Sequence, residues 1–288
     1  MAHHRFIQVD VFTARPLAGN PVAVVLGADD LDAAVMQRLA AWTNLSETTF
    51  VLRPTAAGAD YRLRIFTPKS EVPFAGHPTI GSAHAVLEAG LVSPDATRLV
   101  QECGAGLLPL RAERDESGRR IFVRIPEARV RRAPAGDALA RALGRKPADD
   151  PLVIDVGLVW LVARLGDEAA VRGLRPDGAG IAQIGEAAGA IGVTVFAVCD
   201  GPGAGVVVRS FAPSAGVAED PVCGSGNATV AAYLATAGLL GRVGDTYAAS
   251  QGREVGRDGV VHVCVGESGR AIEIGGQAVT VIDGRVDL

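Results

Sequence analysis

Two stretches decide the fold. Arg64-Ile65-Phe66-Thr67-Pro68 precedes the glycine-led run Gly76-His77-Pro78-Thr79, and Arg209-Ser210-Phe211-Ala212-Pro213 precedes Gly224-Ser225-Gly226-Asn227. A shift of 148 residues, from 76 to 224, also aligns Ala83, Ala89, Gly90 and Leu91 with Ala231, Ala237, Gly238 and Leu239, while Phe50 finds Phe196 at nearly the same offset. Self-similarity at a fixed spacing marks repeated structure, and here it marks a single duplication. Each half reads as a strand, a proline-containing loop and a glycine turn opening a central helix, with further strands around it. The expectation is an α+β molecule with twofold pseudo-symmetry.

Working outward, short β-branched runs read as strands: Phe6–Phe12, Pro21–Leu26, Thr48–Leu52, Tyr61–Phe66, Ile121–Ile125, Trp160–Leu165, Thr194–Val198 and Val206–Phe211. Gly76–Leu91 and Gly224–Leu240 switch to apolar spacing of three and four and read as helices. A polar, proline-bounded segment from Pro126 to Pro134 is the expected link between halves. The first half spans 1–128 and is expected to be completed by a strand near 277–288; the second spans 129–276.

With 288 residues the chain is long enough for two domains that each bury a core. Its net charge is only −4 and its Lys and Arg residues are scattered, so no nucleic-acid partner is expected. It has no run of eighteen apolar residues, and the start leads directly into an alternating strand, which points to a cytoplasmic protein with no membrane partner. Cys103, Cys199, Cys223 and Cys264 have no C-x-x-C spacing and read as reduced thiols. The five histidines lack short ligand spacings, so no metal site is expected.

Both helix starts carry chemistry. The first amides of a helix have no internal acceptor and bear partial positive charge, so a carboxylate docked there gains hydrogen bonds and the helix field. Pro78 suits an early helical position, where its missing N–H costs nothing. Gly76, Gly224 and Gly226 admit close approach of a ligand, and Ser225 adds a hydroxyl. In a duplicated protein such starts tend to share an interdomain cleft, a favoured place for small ligands. Taken alone, a glycine before a helix makes a tight turn, His77 is a capping or core histidine and Asp220 a helix-entry carboxylate. The duplication is what favours an anion site.

Asn44-Leu45-Ser46-Glu47-Thr48-Thr49-Phe50 ends a helix and begins a strand against the first central helix. Glu47 stands at the junction, and its repeat counterpart is near Val193, so the halves differ there. A carboxylate acting as general base needs a pKa raised by burial, and an apolar site with Phe50 and Phe74 nearby would supply that. A solvated surface glutamate is the plain alternative.

These motifs, together with Gln8-Val9-Asp10-Val11-Phe12-Thr13, Gly19-Asn20-Pro21-Val22-Ala23-Val24-Val25 and Asp220-Pro221, resemble the PhzF-like phenazine-biosynthesis isomerases over essentially the full length. The resemblance implies a diaminopimelate-epimerase-like fold: two pseudo-symmetric β-barrel-like domains, each wrapped around a central α-helix, assembled as a homodimer without metal or organic cofactor. It implies that Glu47 is the acid/base that moves a proton within a small amino carboxylic acid, as in trans-2,3-dihydro-3-hydroxyanthranilate isomerase. His77 and Asp220 are implied to share in catalysis, and Gly76, Cys223, Gly224, Ser225 and Gly226 to line the substrate pocket.

Cys223 stands where phenazine-pathway members have a small residue such as Thr, and Cys-Gly-Ser-Gly is similar to the second catalytic cysteine of two-thiol racemases. Stereoinversion needs an acid and a base on opposite faces. The first-half counterpart of Cys223 is Ala75, so paired thiols are not expected. A racemase using Cys223, or a carboxylate-binding protein without chemistry, are the alternative functions.

Overall fold

The computed structural model describes residues 3–133, 137–199, 205–266 and 269–288. The chain forms two compact units, one of Met1–Arg124 with Gly275–Leu288 and one of Ile125–Ile274.

In the first unit, strands β1 (His3–Val11) and β2 (Asn20–Leu26) are followed by helix α1 (Ala33–Thr43), then β3 (Thr48–Leu52), β4 (Tyr61–Phe66) and β5 (Glu71–Val72). Helix α2 (Gly76–Glu88) and strands β6 (Arg98–Cys103), β7 (Gly106–Asp115) and β8 (Gly118–Arg124) complete the run. The second unit begins with β9 (Arg129–Arg132), α3 (Asp137–Leu143), β10 (Leu152–Asp155), β11 (Val159–Arg164), α4 (Glu168–Arg172) and α5 (Gly178–Ala188). It continues with β12 (Gly192–Val198), β13 (Val206–Ala212), β14 (Val217–Asp220), α6 (Gly224–Thr236), β15 (Thr246–Gln251) and β16 (Gly259–Val265). Strand β17 (Ile272–Gly276) returns the chain to the first unit, where β18 (Ala278–Asp287) pairs antiparallel with β1.

The pairing senses show the duplication directly. In the first unit β2–β3 is parallel, β3–β4 and β4–β5 antiparallel, β4–β6 parallel and β6–β7 antiparallel. In the second, β11–β12 is parallel, β12–β13 and β13–β14 antiparallel, β13–β15 parallel and β15–β16 antiparallel. Helix α2 is buried from His77 to Leu87 and packs on β1, β2, β3, β4, β8 and β18; α6 packs in the same way on β10, β11, β12, β13 and β16. A helix apolar on every side can only be stable surrounded, which is why these two Ala-rich segments became the centres. Both end before a left-handed glycine at the equivalent place, Gly90 (φ 70°) and Gly238 (φ 68°), so the second helix stops at Thr236 rather than Leu240.

The repeated R-x-F motif is explained by packing. Arg64 forms a two-pronged ion pair with Glu71 (2.8 and 2.7 Å) and lies 5.1 Å over the Phe66 ring. Arg209 pairs with Glu219 (2.8 and 2.8 Å) and lies 5.1 Å over Phe211. Each clamp fixes the strand that leads into a central helix.

Strand register corrects one sequence match. Thr48 pairs with Phe66 and Val193 with Phe211, an offset of 145 for both members, so the counterpart of Phe50 is Val195 and not Phe196. One residue of slip reverses the face of a strand. Phe50 packs with Met36, Leu39 and Phe66 on the α1 side, whereas Phe196 meets Tyr233 of α6 at 5.1 Å. Part of the expected linker, Arg129–Arg132, is also strand, pairing antiparallel with β10; its other end, Pro134, lies outside the described residues. No helix among the described residues is long and apolar enough to cross a membrane.

Candidate active site

In the first unit, α1 is capped at its C-terminus by Asn44 in the left-handed conformation (φ 55°), which turns the chain through Leu45-Ser46-Glu47 into β3. Strand alternation puts Glu47 and Thr49 on the α2 side, with Thr49 Oγ1 2.8 Å from Ser82 Oγ of α2. Thr48 faces the other way, 2.9 Å from Thr43 Oγ1. Two hydroxyl contacts on opposite faces thus fix the strand end that carries the carboxylate. The expected packing of Glu47 beside Phe50 is not found, because Phe50 lies on the α1 face.

Glu47 Oε2 lies 3.5 Å from His77 Nε2. The Glu47 side chain keeps 18 % of its surface, yet Oε2 itself is covered and makes no hydrogen bond. Burial raises the carboxyl pKa above the ordinary 4.5, and a hydrogen bond from Ser46 pulls it partly back. His77 occupies the first turn of α2 beside Gly76, and the N-cap Ala75 has no side chain to satisfy the helix amides. Gly76 therefore offers an amide with no acceptor inside the helix. A carboxyl whose pKa burial has raised, set beside an imidazole, is equipped for proton transfer.

In the second unit Cys223 is the N-cap of α6, its sulfur accepting from the Gly226 amide at 3.3 Å. Gln251, fully buried at the end of β15, accepts from the Cys223 amide (3.1 Å) and Asn227 Nδ2 (2.9 Å) and donates to the Asp220 carbonyl (3.0 Å). Asp220 Oδ1 accepts from the Val222 amide at 3.1 Å. Ser225 Oγ accepts from the indole N–H of Trp160 at 3.0 Å and stands 3.5 Å from Cys223 Sγ. A methyl group on Gly226 would lie 2.4 Å from Ser210 Oγ, so only glycine fits this turn.

The structure brings Glu47, Gly76 and His77 together in one unit, and Asp220, Cys223, Gly224, Ser225 and Gly226 in the other. Among the described residues no group of three or more His, Cys, Asp or Glu side chains is arranged to hold a metal ion. A family model described as phenazine biosynthesis-like protein matches residues 9–284. The chain belongs to this family. The phenazine biosynthesis-like chain is 36% identical over 293 residues to trans-2,3-dihydro-3-hydroxyanthranilate isomerase of Pseudomonas aeruginosa, covering 99% of this chain and 100% of the relative. It is 40% identical to antisense-enhancing sequence 1 of Schizosaccharomyces pombe, covering 99% of each. The crystal structure of the Bacillus anthracis phenazine biosynthesis protein of the PhzF family matches with a TM-score of 0.86 at 28% identity, covering 100% of both chains. The phenazine biosynthesis-like protein is an isomerase.

The two-thiol alternative finds no support in this isomerase. Ala75 and Cys223 are the N-caps of α2 and α6, so the place of a second thiol is held by a methyl group. The Cys223 pKa is pushed well above the ordinary 9.0, first by burial and then by the Asp220 carboxylate. Only a thiolate attacks an alkylating agent. Iodoacetamide at neutral pH is therefore expected to label the part-exposed Cys103 and Cys264 of the native protein and to leave Cys223 unmodified until denaturant is added. Peptide mapping by mass spectrometry checks this; native labelling of Cys223 as fast as in the unfolded chain would contradict it.

Sequence reasoning did not single out Trp160 and Gln251. Both reach the α6 start from distant strands, and no local motif marks them.

Proposed function

We propose that the protein is a cofactor-independent acid/base isomerase in which Glu47 moves a proton on a small cyclic amino carboxylic acid of the dihydro-3-hydroxyanthranilate type. The observation that carries this reading is the covered Glu47 Oε2 atom with its raised pKa, 3.5 Å from His77. The ionised carboxylate takes a proton from a carbon next to an unsaturated system. The electron pair left on that carbon shifts the double bond, and the proton returns at another carbon of the same molecule. No net oxidation or reduction occurs. His77 is the partner that steadies and relays the proton within the first unit, and Asp220 is the acid of the second.

In the second unit the Gly224 amide and the Ser225 hydroxyl beside the Cys223 turn are donors for a carboxylate, and in the first unit the Gly76 amide is another, in keeping with the preference of anions for helix starts. By likeness to its family the enzyme works as a cytoplasmic homodimer, which light scattering on the purified protein checks. The direct test is turnover of trans-2,3-dihydro-3-hydroxyanthranilate in deuterated water. Relocation of the double bond supports the reading, whereas exchange at an α-carbon with loss of optical activity would replace it with racemisation.

The raised pKa fixes the pH dependence. A base must be ionised to act, so kcat/KM is expected to rise with pH through a midpoint above the 4.5 of an ordinary glutamate. A profile already flat at pH 4.5 would show that this carboxyl is not the base.

A further inference from the structure

The two units treat the residue after the first helical glycine differently. That residue is His77 in α2 and Ser225 in α6, equivalent by the 148-residue shift from 77 to 225. His77 faces Glu47. Register gives Glu47 the counterpart Gly192, one residue before Val193. A side chain cannot be placed there: a Cβ on Gly192 would lie 2.0 Å from the Phe211 carbonyl oxygen and 2.9 Å from Ala212 Cα. The second unit therefore has no room for a carboxylate at this point.

The gap is filled from the next strand. Trp160 is the cross-strand partner of Gly192, and its indole N–H reaches Ser225 Oγ at 3.0 Å. Trp160 is 2 % exposed. Its own counterpart in the first unit is Val22, the β2 residue beside Glu47 when the parallel ladder is extended by one position, and Val22 has no polar atom to offer. The same location in the duplicated fold thus holds a base in one unit and a fixed donor in the other.

A hydroxyl has one proton and two lone pairs. An indole N–H can only donate, so the contact occupies a lone pair of Ser225 and directs the hydroxyl proton away from the ring. Among the described residues its other neighbour is Cys223 Sγ at 3.5 Å, a weak acceptor that a carboxylate oxygen would readily displace. We propose that Trp160 is a positioning residue that holds the Ser225 hydroxyl with its proton presented to the substrate carboxylate. This rests on the reading of Ser225 as a carboxylate donor.

The test is a double-mutant cycle on binding of 3-hydroxyanthranilate, the aromatic analogue of the proposed substrate, measured by calorimetry on the full-length protein. Ser225→Ala is expected to weaken Kd by about ten- to a hundred-fold, the worth of one hydrogen bond to a charged group, and Trp160→Phe by about five- to ten-fold, the worth of an ordinary one. The double variant is expected to bind no more weakly than Ser225→Ala alone, because the indole acts only through the hydroxyl. Multiplying effects would show that the ring acts by packing and overturn the proposal. An unchanged Kd in Trp160→Phe beside a weakened Ser225→Ala would overturn it while leaving the Ser225 reading intact; an unchanged Kd in Ser225→Ala would remove that reading as well.

Should Trp160→Phe fail to fold, the indole proton itself decides. The chain has two tryptophans, and Trp42 is 82 % exposed, so a slowly exchanging indole N–H resonance belongs to Trp160. Ser225→Ala is expected to shift that resonance and speed its exchange. An unmoved resonance would refute the contact.

Discussion

Glu47→Gln is expected to lower kcat by about 10³-fold, within the range that a positioned general base contributes, while the protein stays folded and still binds carboxylates. Glutamine has nearly the same shape and can still accept a hydrogen bond from Ser46, but it cannot take a proton from carbon. The stability of the variant separates chemistry from damage. Burial raises the Glu47 pKa in the folded state, so its favourable contribution is present below the unfolded value of 4.5 and is lost as pH rises through the folded value. Above that folded value the wild type thus carries an ionised, poorly solvated carboxylate that the amide does not. The variant is expected to melt at the same temperature or higher at pH 7, and to show a flatter dependence of Tm on pH. Turnover within ten-fold of wild type would remove Glu47 from the mechanism. Lost turnover with a lowered Tm at pH 7 would point to a structural role instead.

How far this site could be read from sequence depended on whether its parts lie within one motif. Glu47 and His77 each stand beside an element boundary that the chain marks clearly: β3 and β4 begin and end where the β-branched runs do, and α2 begins at Gly76. The helix starts were legible because a glycine turn and an early proline have only a few physical uses. The hold on the α6 start was not legible. Trp160 and Gln251 meet Ser225 and Cys223 through strand pairings that bring together residues 65 and 28 apart, and no periodicity encodes such partners. The Phe50–Phe196 match failed for a related reason. Identity of residue type favoured an offset of 146, whereas hydrogen-bond register fixes 145, and the side chains occupy opposite faces. The exposed Arg-rich strand Arg129–Arg132 reads as linker in sequence because the apolar alternation that marks a strand requires a buried face, and this strand has none.

The duplicated arginine gives the second large effect, because one clamp is buried and the other is not. Arg209 is 4 % exposed and Glu219 12 %, whereas Arg64 and Glu71 retain 21 % and 42 %. Arg209 also donates through Nη1 to the carbonyls of Val171 (3.1 Å) and Leu174 (3.0 Å), at and just beyond the end of α4. Arg209→Ala is therefore expected to cost about 3–5 kcal/mol, chiefly because it leaves the covered Glu219 carboxylate without its counter-charge; the carbonyls lose one donor but keep others, from the Leu174 amide to Val171 and from Arg175 to Leu174. Arg64→Ala is expected to cost about 1 kcal/mol or less, as its partner can turn to water. Urea unfolding followed by tryptophan fluorescence suits the comparison. Trp160 is buried in the second unit while Trp42 is already solvated, so the signal reports chiefly on the unit that holds Arg209. Replacing both partners, Arg209→Met with Glu219→Gln, is expected to recover part of the loss, because no unpaired charge then remains inside. Equal costs for Arg64→Ala and Arg209→Ala would show that the two copies of the motif, despite their difference in burial, hold their strands by the ring contact and not by the ion pair.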